Sequence, residues 1–127
     1  YGVVSGSPSG IVLEPRAAAR LDRTHGALVT TEQEYDAFTL RTRLTTTAQL
    51  RTTHRPNPWE VGWLLWAFTD TDHFYALALK PNGWELSKQD PAYPGKQRFL
   101  ASGTSPATAV GTSREVVVRY RSGTSTV

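Results

Sequence analysis

Residues able to do chemistry are sparse in this chain of 127 residues, and their types already narrow what it can do. It has no Cys and no Met, so thiolate nucleophiles, disulfides and thiolate metal sites are excluded. Glycoside hydrolysis needs two carboxylates about 5 to 10 Å apart across the scissile bond. The carboxylates of the central region are Glu60, Asp70, Asp72 and Glu85, and Lys80 is the expected partner of Glu85. Asp70 and Asp72 form an Asp-x-Asp turn that, with loop carbonyls, suits a hard cation such as a structural calcium. The other reading of the same pair is turn formation, because Asp bonds its own backbone there. His25, His54 and His73 are far apart in sequence. No Gly-x-Ser-x-Gly elbow or phosphate-cradling glycine loop occurs. Trp59 follows Pro58, and Tyr93 lies between Pro91 and Pro94. Aromatics on such stiffened loops serve as ligand contacts or as loop pins.

The elements that must position these groups are strands. Apolar runs are short and alternate with polar residues, and Thr, Ser, Gly and Pro punctuate them. The pattern predicts strands at Ile11 to Glu14, Gly26 to Thr30, Ala37 to Leu44, Val61 to Phe68, Phe74 to Lys80, Trp84 to Lys88, Gln97 to Ala101 and Glu115 to Tyr120. Pro15 to Leu21 is the sole helix candidate. Many short strands with this punctuation give an all-β sandwich or barrel, here expected as one domain over 1–127, with truncation at one or both ends left as an open alternative. Arg121 to Thr124 reads as a turn followed by very few residues. That leaves three readings of the last hairpin: a further chain segment completes it, a partner completes it, or it ends in a short edge strand.

Turn chemistry sets the register of the central hairpins. Asn82-Gly83 as a two-residue type I′ loop places Lys80 against Glu85, Leu79 against Leu86 and Ala78 against Ser87. A four-residue loop at Thr69 to Asp72 places Trp66 against Tyr75, Trp63 against Ala78 and Phe68 against His73. One face then carries Leu64, Trp66, Phe68, Tyr75, Leu77, Leu79, Trp84 and Leu86, an apolar set suited to a core. The other carries Trp63, Phe74, Lys80, Glu85 and Ser87 around a floor of alanines. Such a face suits a sugar ring, which presents apolar C–H surfaces and polar edges. Thr39, Arg41 and Arg43 point outward from the preceding strand if Phe38, Leu40 and Leu44 point inward. The competing reading is that a loop such as Thr52 to Trp59 covers the alanine face.

The segment TLRTRLTT followed by WEVGWLLWAFTDTDHFYALALKPNGWELSK resembles laminin-G-like and concanavalin A-like sandwiches. In that pattern an extended strand precedes an apolar strand, an Asp-rich turn, an aromatic strand and another hairpin. The resemblance covers about Tyr35 to Tyr120 and implies an antiparallel jelly-roll sandwich of the kind found in bacterial extracellular glycan-binding and glycan-degrading proteins. Glucanases of this superfamily carry Glu-x-Asp-x-x-Glu on one strand, a string absent here.

The expectation is therefore a secreted, non-catalytic module that binds a glycan or polysaccharide through Trp63, Phe74, Lys80, Glu85, Ser87, Arg41, Arg43, Trp59 and Tyr93. A carbohydrate-active hydrolase or lyase and a structural or adhesive module are the alternatives. Nucleic acid is not expected despite a charge of +3, because the basic residues are scattered rather than clustered with aromatics. No stretch approaches the roughly 18 apolar residues of a membrane span.

Overall fold

Alternating apolar and polar residues commit this chain to strands, and about half of it is strand. The computed structural model describes residues 2–121 and 124–126. The strands are β1 (Gly2–Ser7), β2 (Gly10–Pro15), β3 (Ala37–Thr45), β4 (Trp63–Asp70), β5 (His73–Lys80), β6 (Gly83–Gln89), β7 (Gln97–Gly103), β8 (Ser113–Arg121) and β9 (Thr124–Thr126). They form three antiparallel sheets, in the orders β1-β2, β3-β8-β9 and β4-β5-β6-β7. Among the described residues there is no α-helix, only a 3₁₀ turn at Pro94–Lys96, and no sheet closes into a barrel.

Several expectations are corrected. Pro15 to Leu21 is not a helix; Pro15 ends β2, and a lone short helix is marginal without an apolar face to bury. Gly26 to Thr30 is not a strand, and its Leu28 and Val29 side chains are exposed. The missed strand β1 pairs with β2 through a two-residue loop, with Ser7 opposite Gly10. At the other end Arg121 pairs with Thr124. Ser122 and Gly123, the centre of the turn expected there, lie outside the described residues.

The backbone gathers into two units. One comprises residues 1–40, 50–60 and 117–127, and the other residues 41–49 and 61–116. In the first, Phe38 stacks on Tyr120 at 5.4 Å, and Ala18 and Val118 are buried. Its loops are tied by Arg51, whose guanidinium is fully buried. Arg51 donates to Glu60 Oε1 from Nε (2.8 Å) and Nη2 (2.6 Å), and to the carbonyls of Arg20 (2.5 Å) and Arg23 (2.9 Å). Asn57 Nδ2 donates to the same Glu60 oxygen at 2.8 Å.

The second unit holds the four-stranded sheet. Strand β5 is one of its two inner strands, between β4 and β6, and Ala76, Leu77 and Ala78 are buried in succession, so both faces of β5 are closed at that level. Trp66 is buried and stacks on Tyr75 at 6.0 Å.

Candidate functional site

Two register findings decide which side chains meet on the four-stranded sheet. The β5–β6 loop is Pro81-Asn82, not Asn82-Gly83: Lys80 opposes Gly83, Leu79 opposes Trp84, Ala78 opposes Glu85 and Ala76 opposes Ser87. Proline has no N–H for a ladder and its fixed φ fits the first loop position, so it outcompetes the Asn-Gly signal. Gly83 follows the loop at φ 134°, and a Cβ there would run into the backbone of Gly103 on β7. The ladder is displaced by two residues, which leaves every side chain on its expected face.

The β4–β5 connection differs more. Trp63↔Ala78 through Trp66↔Tyr75 pair as expected, but Asp70 then opposes His73, so the loop is Thr71-Asp72 and β4 carries a bulge between Trp66 and Asp70. Ala67 in this bulge has φ 47°. The bulge turns Phe68 away from the core set to stack on Phe74 at 6.0 Å. Phe68 is thus corrected from the core face to the alanine face.

Rows across this face can be read from the pairings. Trp63, Ala78, Glu85 and Ser102 form one row, and Leu65, Ala76, Ser87 and Phe99 the next. The Phe68–Phe74 pair lies four residues along β5 from the Trp63 row, roughly 13 Å at strand rise. Lys80 Nζ donates to Glu85 Oε1 from the diagonal position. Gln97 Nε2 donates to Ser87 Oγ at 3.1 Å. Trp63, Phe74 and Glu85 are half-buried, Phe99 is exposed, and Ala76, Ala78, Lys80 and Ser87 are buried.

The structure thus brings together Trp63, Phe74, Lys80, Glu85 and Ser87. Phe68, Gln97 and Phe99 join them and were not anticipated, because the bulges in β4 and in the β6–β7 pairing are invisible to simple alternation. Arg41 and Arg43 are exposed on β3, with Arg41 at 3.9 Å from Glu115. Trp59 is exposed in the other unit. Tyr93 sits on the 90–96 loop, its hydroxyl accepting from Arg98 Nη1 at 2.5 Å.

Asp70 and Asp72 serve the turn. Asp70 Oδ1 accepts from the Asp72 amide at 2.8 Å and lies 2.9 Å from His73 Nδ1, while Lys96 Nζ reaches Asp72 at 3.5 Å. Among the described residues no group of three or more His, Asp or Glu is arranged to hold a metal ion.

Four carboxylates that could serve acid–base chemistry are each held by a basic group: Glu60 by Arg51, Glu85 by Lys80, Asp70 by His73 and Asp72 by Lys96. Burial pushes the Glu60 carboxyl up, but hydrogen bonds from Arg51 and Asn57 and the Arg51 charge outweigh it and leave the group below its ordinary range. The His73 hydrogen bond and the Asp72 amide lower Asp70 in the same direction. A general acid at neutral pH needs the opposite shift.

No family model, curated protein or solved structure matches this chain. Among the described residues no helix is long and apolar enough to cross a membrane.

Proposed function

We propose that this chain is a non-catalytic glycan-binding module of a secreted protein, on a concanavalin A-like or laminin-G-like jelly-roll sandwich. The observation carrying this reading is the alanine face: Trp63 at one level and the Phe68–Phe74 pair at another, with Ser87 on the row between them and bonded to Gln97, and with Glu85 in the Trp63 row and paired to Lys80 just beyond it. Aromatic planes offer stacking to the C–H faces of sugars, and their spacing along β5 suits a chain of rings. The engagement of Glu60, Glu85, Asp70 and Asp72 by basic partners weighs against a hydrolase built on paired carboxylates.

A second reading is favoured by a specific observation: Ala76, Ala78, Lys80 and Ser87 are buried. A closed floor fits a structural or adhesive module whose alanine face is packed rather than open.

One variant separates them. Under the glycan reading, Trp63→Ala melts near the parent temperature and weakens binding to soluble neutral oligosaccharides by about 1 to 3 kcal/mol. A large fall in melting temperature assigns Trp63 to packing instead. Failure of the parent to bind any arrayed glycan removes the glycan reading outright.

A further inference from the structure

The opposite face of the same sheet carries a second cluster. Tyr75, Lys88 and Arg98 are successive cross-strand partners on β5, β6 and β7. The row runs from buried Trp66 through half-buried Tyr75 to Lys88, whose side chain is 35% exposed, and to exposed Arg98. Lys88 Nζ lies 6.0 Å from the Tyr75 ring centroid, and the Arg98 guanidinium 5.1 Å from that of Tyr93. The 90–96 loop presenting Tyr93 is fixed by its own bonds: the amides of Asp90, Tyr93 and Lys96 donate to the carbonyls of Lys96, Asp90 and Tyr93, at 2.8, 3.1 and 2.8 Å. The Ala92 amide caps Asp90 Oδ1 at 3.0 Å.

Two like charges set directly opposite across a strand pair repel. Lys88 is compensated by Asp90 at 2.7 Å, Lys96 by Asp72 and His73 by Asp70. Arg98 is the cation of this group that has no carboxylate partner among the described residues, and its one side-chain bond here goes to the Tyr93 hydroxyl. Most of its five donors remain to meet an anion.

We infer that Lys88, Arg98 and Tyr93 form an anion-binding site for the carboxylate of an acidic polysaccharide, with the Tyr93 ring against the sugar. Two cations bordered by Asp70, Asp72 and Asp90 suit a ligand with sparse charge, one anion per sugar, and disfavour a nucleic-acid backbone with dense phosphates. That the anion is borne by a glycan rests on the function proposed above; the site itself rests on Arg98 and its neighbours.

The test titrates the intact chain with oligogalacturonate, its methyl ester, a sulfated oligosaccharide and a short DNA duplex, for the parent, Arg98→Gln, Tyr93→Ala and Arg114→Gln. Arg114 lies on β8 in the other sheet, so its variant controls for loss of one charge. The expected result is saturable oligogalacturonate binding that falls at least tenfold in Arg98→Gln with an unchanged melting temperature, falls in Tyr93→Ala, holds in Arg114→Gln and is absent for the methyl ester. Equal binding of ester and acid, or equal loss in Arg98→Gln and Arg114→Gln, overturns the site. Tighter binding of the sulfated sugar or of DNA, sensitive to Arg98, overturns the carboxylate assignment. Neutral oligosaccharide binding sensitive to Trp63 with no oligogalacturonate binding overturns this inference alone; no binding of any glycan overturns both.

Discussion

Arg51 shows how one side chain organises a stretch of chain that has little regular structure. Its donors are shared among Glu60 and the carbonyls of Arg20 and Arg23, so it closes loops from three parts of the sequence around one planar fork. Arg51→Ala would leave Glu60 buried without its cation and two carbonyls unpaired, a loss of about 3 to 5 kcal/mol. Arg51→Lys would keep the charge but not the fork, and should recover part of that loss. Urea midpoints of the two variants check the order, and a parent-like midpoint for Arg51→Ala would show that the loops are held by something else. None of this is legible in the sequence, because the partners lie 31, 28 and 9 residues away and no local pattern marks them. Trp66, by contrast, is legible: alternation alone places it inward, and it is buried against Tyr75. Trp66→Ala should cost about 3 to 5 kcal/mol in the same measurement.

At the scale of elements, the central hairpins show why faces are easier to read than registers. Choosing Asn82-Gly83 over Pro81-Asn82 displaces the β5–β6 ladder by two residues, and period-two alternation forgives an even error. The four-residue loop assumed after β4 hid a bulge, and a bulge is not forgiven: Phe68 changed sides while Trp63, Leu64, Leu65 and Trp66 kept theirs. Nothing in Ala67 announces it, since alanine has no liking for a positive φ. That same fact makes the bulge testable. Ala67→Gly relieves a left-handed conformation at an exposed position and should stabilise the fold by about 1 kcal/mol. Gly83→Ala does the reverse. It forces a Cβ into the Gly103 backbone at φ 134°, with an expected loss of about 3 kcal/mol. Opposite signs for these two small substitutions in thermal melts support the bulge and the loop together; a destabilised Ala67→Gly would argue that β4 is regular.

Across the whole molecule, the charged pairs set how stability depends on pH. Hydrogen bonds from Lys88 and the Ala92 amide hold Asp90 below its ordinary value, as His73 does for Asp70, and the Arg51 and Asn57 bonds overcome burial to do so for Glu60. A carboxylate lowered by folding contributes stability that is complete above its ordinary range and is lost as pH falls through the lowered value. Lys88 is raised, first by its bond to Asp90, so its contribution is complete below the ordinary lysine range and is lost as pH rises through the raised value. The melting temperature should therefore hold a plateau through neutral pH and fall from about pH 5 downward. Salt separates the contributors to the acid limb. The pairs of Asp70 and Asp72 are half exposed and should fade in molar salt, whereas the Arg51–Glu60 pair is buried and should persist. Glu60→Gln should then lie well below the parent at neutral pH and converge with it in acid, where the parent's own Glu60 is protonated. Parallel curves that never converge would mean that Glu60 is not the carboxylate whose protonation loosens the fold.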